Sequence, residues 1–407
     1  MKKIILFFML LLLFSNCKTF QTNKESTIKE DYFGLHIHDA PNKEELWQKI
    51  KFKTIRIWDC EVIWSDLEKQ KSKWDFSKLD KIVEYAEKNN IEILMTLGQT
   101  PGWASTKKNV FYPYGRKDIL TSPPQNIEDW KNYITILGQR YKGKIKYWEV
   151  WNEPDSLFFY SGTIKELVNL TKEANVILKK IDVENKIVSP SVTGWIFYGF
   201  ALGWLDLYLE GVKDYIDIIG FHYYTFEICQ PETLIEYLSL LKNILKKYKI
   251  SDKPFWNTEG SFFFSNKENV DQKKAISFMV RNYLIQKSFG VDRFYWYALD
   301  NEPYIGGMIS KKSYQVLPLG KAYQFLEDLI IGGSVTKLEQ ISLDLWVCEI
   351  SKNSQKLRVL WSTSGKIKFS IPDSWNVSEI ISFDDKKLNL VNNVEIDILP
   401  IVFVCEK

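Results

Sequence analysis

The chain has 407 residues, of which 45% are hydrophobic and 26% are charged, so it is too apolar to be disordered and long enough for one large and one small domain. Its net charge of +3 is small for this length, and no run of lysine or arginine stands out. These properties indicate a globular protein and argue against nucleic-acid binding.

The first segment has the pattern of an export signal. Lys2 and Lys3 precede the apolar run 4–14, which is short for a membrane span and of the right length for a signal peptide. Cys17 follows, and its position resembles the bacterial lipoprotein signal, in which this cysteine becomes the lipidated first residue. We therefore predict a signal peptide over 1–17 and a membrane anchor at Cys17. Because Asn16 replaces the usual small residue, cleavage without lipidation remains the alternative.

A linker is predicted over 18–30, where the sequence is polar and has no periodicity. From 31 to 331, β-rich runs alternate with amphipathic helical stretches. The predicted strands are 32–38, 54–59, 91–98, 145–153, 186–194, 215–224, 254–262 and 292–299. Eight strands, each followed by a helix, predict an α/β fold of the (β/α)8 TIM-barrel type. A doubly wound open sheet is the competing fold, but no glycine-rich phosphate turn follows the first strand.

The character of the chain changes at Gly332 and Gly333. Over 332–407 the sequence shows short alternating strands without helical periodicity, which predicts a small antiparallel, β-sandwich-like domain. Packing on the barrel is favoured over carbohydrate binding, because no cluster of exposed tryptophans marks a binding face. Cys348 and Cys405 fall in β-like runs, and both a disulfide and two buried thiols fit this pattern.

Two carboxylates stand at predicted strand ends. Glu153 closes the fourth strand in KYWEVWNEPD, directly before Pro154, and Glu259 ends the seventh strand in PFWNTEG. In (β/α)8 barrels the chemistry collects at the carboxyl ends of the strands. A pair of carboxylates there suits glycoside hydrolysis, since one protonates the leaving oxygen while the other attacks the anomeric carbon or activates water.

The sequence resembles the retaining glycoside hydrolases of clan A, which have a (β/α)8 barrel. The matching motifs are WNEP at 151–154 and NTEG at 257–260. Within the clan, GLHIH, IRIWD and WDFSKLDKIVEYA are most similar to the family 39 group of xylosidases, iduronidases and bacterial exopolysaccharide endoglycosidases. The resemblance implies double-displacement cleavage of a poly- or oligosaccharide, without a cofactor or a metal. It does not indicate the sugar, the linkage or the oligomeric state.

The resemblance also implies residue roles. Glu153 is the general acid/base, and its pKa is expected to be raised by burial and by the charge of Glu259. Glu259 is the nucleophile, kept ionised by Arg56 and Tyr224, and Asn152 binds the sugar 2-hydroxyl. The other implied substrate-binding residues are His36, His222, Trp296, which stacks under the sugar at the point of cleavage, and Trp103, which extends the aromatic platform. Trp103 also fits a simple packing residue.

Other interpretations remain open. Arg56 also fits a plain ion-pair partner of Glu149, which itself reads as a satisfied charge in the barrel interior. His36 and His38 alternate onto one face of the first strand and suit a metal-dependent hydrolase, with His222 and Asp300 as further ligands. The chain has only 3 histidines, which weakens that hypothesis. A non-catalytic carbohydrate-binding lipoprotein is the third possibility, but such a protein needs neither carboxylate.

Overall fold

The computed structural model describes residues 19–21, 27–105, 119–194, 198–384 and 386–406, with the backbone alone at 19–21, 119–120 and 386. The predicted signal peptide and Cys17 lie outside these residues. Within the described ranges, no helix combines the length and the apolar character needed to cross a membrane.

Eight parallel strands form the barrel, and all eight lie within the predicted runs. They are β1 (Phe33–Leu35), β2 (Thr54–Ile57), β3 (Glu92–Leu97), β4 (Tyr147–Val150), β5 (Lys186–Val188), β6 (Ile219–His222), β7 (Phe255–Gly260) and β8 (Arg293–Trp296). Each strand pairs with its neighbour in sequence, except that β5 and β6 are joined by the bridge between Val188 and Ile218, and β8 pairs with β1. The sheet therefore closes, and the predicted (β/α)8 fold is confirmed.

A short 3-10 helix, Glu44–Gln48, follows β1, and α-helices follow the other seven strands. The α-helices are Trp64–Leu67, Ser77–Asn89, Ile127–Arg140, Ile164–Ile181, Tyr198–Val212, Thr233–Lys247, Gln272–Ser288 and Pro318–Ile330. Local sequence explains their ends. Thr163 and Glu166 form a reciprocal capping box at the start of Ile164–Ile181, and Asn90 takes the left-handed conformation that ends Ser77–Asn89. These caps satisfy terminal backbone groups that the helix leaves without partners.

Alternate strand residues fill the barrel in layers, as strand periodicity requires. One layer is apolar and includes Leu94, Val188, Ile218, Trp256 and Tyr295. Towards the carboxyl ends of the strands, the side chains become polar but remain buried: His36, Arg56, Thr96, Glu149 and Thr258. The apolar layer thus supports a second, hydrogen-bonded layer directly beneath the catalytic end of the barrel.

The C-terminal region forms two antiparallel sheets. Its strands are β9 (Ser334–Gln340), β10 (Leu345–Lys352), β11 (Gln355–Ser362), β12 (Ile367–Ser370), β13 (Val377–Ser382), β14 (Lys386–Leu388), β15 (Asn393–Ile396) and β16 (Ile401–Glu406). The larger sheet has the order Thr19–Gln21, β9, β10, β11, β16, β13, β14, and β12 pairs with β15. Side chains from both sheets, among them Val347, Ile396 and Phe403, form one apolar cluster.

The chain divides into two compact units. One unit contains Glu30–Val270 and Val291–Gln324. The other contains the C-terminal sheets, Asp271–Gly290, Phe325–Ile330 and the described residues before Glu30. Part of the predicted linker is therefore ordered, since the strand at 19–21 adds to the open edge of β9. A polar segment can pair in this way because strand edges offer unpaired backbone groups to any sequence.

Cys348 and Cys405 do not form a disulfide. Both thiols are free and buried, and β11 lies between the two strands that carry them. The interpretation as buried thiols is the one that the structure supports.

Candidate active site

Glu153 sits just beyond β4, where the strand alternation is broken. Trp151 and Glu153 adopt positive φ angles of 70° and 41°. Trp151 consequently turns towards the surrounding helices, where it packs against Trp130 and donates its indole N–H to the Phe159 carbonyl over 2.8 Å. Asn152 and Glu153 instead reach the polar groups at the barrel end, and the backbone N–H of Glu153 donates to the Ser191 carbonyl over 3.1 Å.

Glu259 reaches the same place through an irregularity in β7. The pairing register of β7 shifts between Asn257 and Glu259 relative to β6. Such bulges redirect side chains, and here the consecutive residues Thr258 and Glu259 both contact barrel-interior groups. The Thr258 hydroxyl donates to Glu149, while the Thr258 carbonyl accepts a hydrogen bond from His36 Nε2 over 2.9 Å. His36 thus satisfies a backbone group at the site of the irregularity.

Arg56 links three acidic or amide side chains. Its Nε donates to Glu149 over 2.5 Å, and its two terminal nitrogens donate to Glu259 and to Asn152 Oδ1, each over 2.8 Å. Arg56 is therefore both the partner of Glu149 and the partner of Glu259. Glu149 is also bonded by Thr96, Ser191 and Thr258, which makes it a satisfied interior charge. Asn152 Nδ2 has no partner among the described residues.

The two predicted catalytic acids lie side by side. One carboxylate oxygen from Glu153, one from Glu259 and a ring nitrogen of His222 all lie within 4.8 Å of one another. His222 Nδ1 is 2.9 Å from Glu153 Oε1, and the Tyr224 hydroxyl donates to Glu259 Oε1 over 2.6 Å. Carboxyl groups of retaining glycosidases are about 5 to 5.5 Å apart, whereas those of inverting enzymes are about 6.5 to 9.5 Å apart. An approach of the nearest oxygens to within 4.8 Å lies closer to the retaining separation than to the inverting one.

Burial and charge separate the two acids. Burial raises the pKa of Glu153 well above its usual range, and the charge of Glu259 raises it further. Burial also raises the pKa of Glu259, to about 7, but Arg56 and the hydrogen bond from Tyr224 oppose that rise. Of the two carboxyl groups, Glu153 therefore holds its proton more tightly. His222 stays neutral, because burial and the charge of Arg56 hold its pKa well below its usual value.

At the end of β8 the structure differs from the prediction. Trp296 is fully buried, and its indole N–H donates to the Gly306 carbonyl over 2.8 Å, so it offers no platform for a sugar. Tyr297 is the aromatic residue beside the site. Its ring lies edge-on to that of His36, 5.0 Å away, and 6.3 Å from the ring of Tyr224. Because Tyr295 faces the barrel interior, alternation along the strand would have identified Tyr297.

Tyr297 belongs to a charged cluster that sequence reasoning did not assemble. Its hydroxyl donates to Asp59 over 2.6 Å and accepts from His38 Nε2 over 3.1 Å, while His38 Nδ1 donates to Asp300 over 3.1 Å. Burial disfavours a charge on His38, but Asp59 and Asp300 raise its pKa to about 10. His38 is therefore a cation at neutral pH.

These contacts weigh against the metal-dependent alternative. A protonated His38 has no lone pair for a metal, and its two ring nitrogens are engaged with Asp300 and Tyr297. Among the described residues, the three-residue group spaced to hold a metal is Glu153, His222 and Glu259. Arg56 lies 2.8 Å from Glu259 in that group, and its positive charge opposes a divalent cation there.

Trp103 lies in the loop after β3. Its indole N–H donates to the Glu68 carbonyl over 2.8 Å, and its ring meets Trp64 edge-on at 6.1 Å. These are packing contacts, and none of the described contacts joins Trp103 to the two acids. The segment 106–118, which follows in the chain, lies outside the described residues.

Comparison with known proteins points in the same direction as this geometry. The sequence profile described as glycosyl hydrolase family 10 matches residues 27–163, a stretch that includes Glu153 but ends before Glu259. A β-xylosidase of Caldicellulosiruptor saccharolyticus is 29% identical over 167 residues, which cover 37% of this chain and 31% of that protein. The alignment thus spans about a third of the curated relative.

Two solved structures share the fold over nearly the whole chain. A family 39 glycoside hydrolase from the gut symbiont Bacteroides cellulosilyticus WH2 has a TM-score of 0.72 at 18% identity, covering 93% of this chain and 82% of that one. A family 39 β-xylosidase from Caulobacter crescentus has a TM-score of 0.67 at 15% identity, covering 95% and 98%. Taken together with the profile match, these likenesses confirm the resemblance of this chain to the (β/α)8 glycoside hydrolases of clan A.

Proposed function

We propose that this protein is a retaining glycoside hydrolase that cleaves O-glycosidic bonds of a poly- or oligosaccharide by double displacement. The approach of Glu153 and Glu259 to within 4.8 Å at the carboxyl end of the barrel carries the proposal. Their side chains are 12% and 8% exposed, so the carboxyl groups are largely dehydrated and yet reachable. A site from which water is largely excluded strengthens electrostatic interactions with a developing positive charge on the sugar.

In the first step, Glu259 attacks the anomeric carbon while Glu153 protonates the departing oxygen. The shifts in pKa suit these roles, since Glu153 retains its proton and Glu259 is the more acidic of the pair. Arg56 and Tyr224 orient the Glu259 carboxylate with one hydrogen bond to each oxygen. A nucleophile held at both oxygens has little freedom to rotate away from the reacting carbon.

In the second step, water replaces the leaving group. Glu153, now ionised, takes a proton from that water as it attacks the glycosyl–enzyme bond, which releases the sugar with its original configuration. Asn152 is suited to bind the 2-hydroxyl, because Arg56 occupies its Oδ1 and leaves its Nδ2 free to donate. A hydrogen bond at this hydroxyl strengthens in the transition state.

The sugar is the part of the proposal that rests on relatives. Two of the similar proteins are described as β-xylosidases, and two solved structures belong to family 39. We propose a family 39-like activity and take aryl β-xylosides as the first substrates to test. No cofactor is required by the double-displacement chemistry.

The decisive experiment follows the anomeric configuration of the first product by NMR, using the residues from 18 onward, which keep the strand at 19–21. An aryl glycoside panel identifies a substrate, and a 2-deoxy-2-fluoro analogue of that substrate traps the intermediate for mass spectrometry. Retention with a covalent adduct on Glu259 supports the proposal. Inversion of configuration, or an adduct on another residue, contradicts it.

We further propose that the protein is exported and anchored in a membrane through a lipid on Cys17. The support is the sequence alone: two lysines, an apolar run over 4–14 and a cysteine at the expected distance. One acyl chain holds a protein only weakly, so stable anchoring requires the multiple acylation that such signals direct. The strand at 19–21 begins two residues after this cysteine, which leaves little free chain between the anchor and the sheet.

A further inference from the structure

The segment after β5 bridges the two halves of the active site. Its Ser191 carbonyl accepts the backbone N–H of Glu153 over 3.1 Å. Two backbone N–H groups on the β6 side donate to the same segment. That of His222 donates to the Val192 carbonyl over 3.2 Å, and that of Tyr224 donates to the Gly194 carbonyl over 2.8 Å. Residues 191–194 therefore contact Glu153 on one side and, on the other, Tyr224, whose hydroxyl bonds Glu259.

A side-chain clamp reinforces this bridge. The carboxylate of Asp155 accepts two hydrogen bonds from Thr193, one from its backbone N–H over 3.0 Å and one from its hydroxyl. Asp155 lies two residues after Glu153, whose φ of 41° is unfavourable for a residue with a side chain. A strained backbone persists only where its surroundings fix it, and the clamp fixes the residues immediately after the acid.

We propose that Asp155 is a positioning residue for the acid/base, because its contact with Thr193 holds the backbone that carries Glu153. The inference rests on the proposed glycosidase function. It goes beyond that function because Asp155 touches neither the nucleophile nor the anomeric carbon in the mechanism above.

Asp155 also acts on Glu153 through its charge, together with the other groups around that carboxyl. Burial raises its pKa most, followed by the charge of Glu259 and then by that of Asp155, while Arg56 lowers it. The titratable and charged groups around Glu153 are Glu149 on β4, Asp155 after β4, Arg56 on β2, His222 and Tyr224 at β6, and Glu259 on β7. Among these groups, Asp155 is the charged residue that lies on the same loop as Glu153 and is hydrogen-bonded to the segment after β5.

The test compares Asp155→Asn with the native enzyme on aryl glycosides of low and high leaving-group pKa. The asparagine keeps the size of the side chain but removes its charge and one acceptor oxygen. We expect the basic limb of the kcat/KM profile to move down by on the order of half a pH unit or more, since a like charge near Glu153 is lost. Rates should fall roughly tenfold for poor leaving groups and change less than about twofold for good ones, which need no acid.

Thr193→Val serves as the second variant, because it removes the hydroxyl donor and leaves the charge of Asp155. It should give the same leaving-group selectivity. Asp182→Asn is the matched control, since Asp182 also accepts a backbone N–H but lies before β5 at the other end of the barrel. This control should match the native enzyme.

Equal rate losses for good and poor leaving groups, in either variant, would overturn the positioning role and leave a purely structural one. An unmoved basic limb in Asp155→Asn would overturn the electrostatic role. If the native enzyme cleaves no glycoside, the proposed function fails instead, so the two failures are distinguishable.

Discussion

Glu153 and Glu259 bring their carboxyl oxygens within 4.8 Å of each other from strands β4 and β7, with β5 and β6 between them in the barrel. The contact depends on two local departures from regular strand geometry. One is the positive φ at Trp151 and Glu153, and the other is the register shift in β7.

Replacing the nucleophile should abolish cleavage. In Glu259→Ala no group can form the glycosyl–enzyme bond, and we expect kcat to fall by at least about 10⁴-fold. Azide should restore turnover, because a small anion fits the vacated space, and the product should be the glycosyl azide of inverted configuration. Product analysis by NMR checks this, with Glu184→Ala, an exposed residue at the opposite end of the barrel, as the control. An azide product of retained configuration would contradict the assignment.

Replacing the acid should separate substrates by their leaving groups. Glu153→Ala should still be glycosylated by aryl glycosides with acidic phenols, whereas substrates with poor leaving groups should lose about 10²- to 10⁴-fold in rate. The basic limb of the pH profile should disappear, and azide should now give a product of retained configuration. Steady-state rates across a phenol series make the measurement. A uniform loss across that series would show that Glu153 is not the acid.

Separate replacements of Trp296 and Tyr297 should distinguish a residue that supports the fold from one that acts at the active site. Trp296→Phe should lower stability by about 1–3 kcal/mol through loss of buried volume and leave kcat/KM nearly unchanged. Tyr297→Phe removes the hydrogen bond to Asp59 beside the site and should lower kcat/KM more than stability. Thermal melts and kinetics on both variants test this. The reverse pattern would restore Trp296 as the sugar platform.

The His38 cluster should make stability depend on alkaline pH. The pKa of His38 rises from 6.5 to about 10 in the folded state, so the folded protein holds this proton more tightly than the unfolded chain. The stabilisation is therefore complete below pH 6.5 and is lost as the pH rises towards 10. His38→Gln should show a flatter dependence of melting temperature on pH over this window than the native protein. Parallel curves for the two proteins would argue against a charged His38.

Changing the cysteine of the signal should release the protein from the membrane. In Cys17→Ser no thiol can accept a lipid, so the protein should leave the detergent phase or remain uncleaved, whereas the native protein should partition into detergent. Phase partitioning with immunodetection of the full-length gene product is the measurement. Equal partitioning of both forms, with equal processing, would exclude the anchor.

The sequence was sufficient to predict the barrel, because each strand run is bounded by turn residues and followed by a helical period. It was also sufficient for the strand ends that carry Glu153 and Glu259. It failed at Trp296, since an error of one residue transfers a side chain from one face of a strand to the other. Tyr295 faces the barrel interior, so a period of two along the strand places Tyr297, and not Trp296, on the same face.

The remaining features depend on backbone geometry that two-residue alternation does not encode. The outward turn of Trp151 follows from a positive φ, and the consecutive inward contacts of Thr258 and Glu259 follow from a register shift. The cluster of His38, Asp59 and Asp300 joins strand ends that are distant in the chain and adjacent only because β8 pairs with β1. Contacts of this kind form between loops, whose conformations the sequence pattern leaves open.

Arg56 has a further consequence for the behaviour of the site with temperature. Its guanidinium is a planar group of fixed bond lengths, and three of its nitrogens hold Glu149, Asn152 and Glu259. One rigid group thus fixes the directions from which these three partners are held. Arrhenius plots of kcat should accordingly stay linear up to the onset of unfolding, and Arg56→Lys, whose ammonium imposes no such template, should curve well below it.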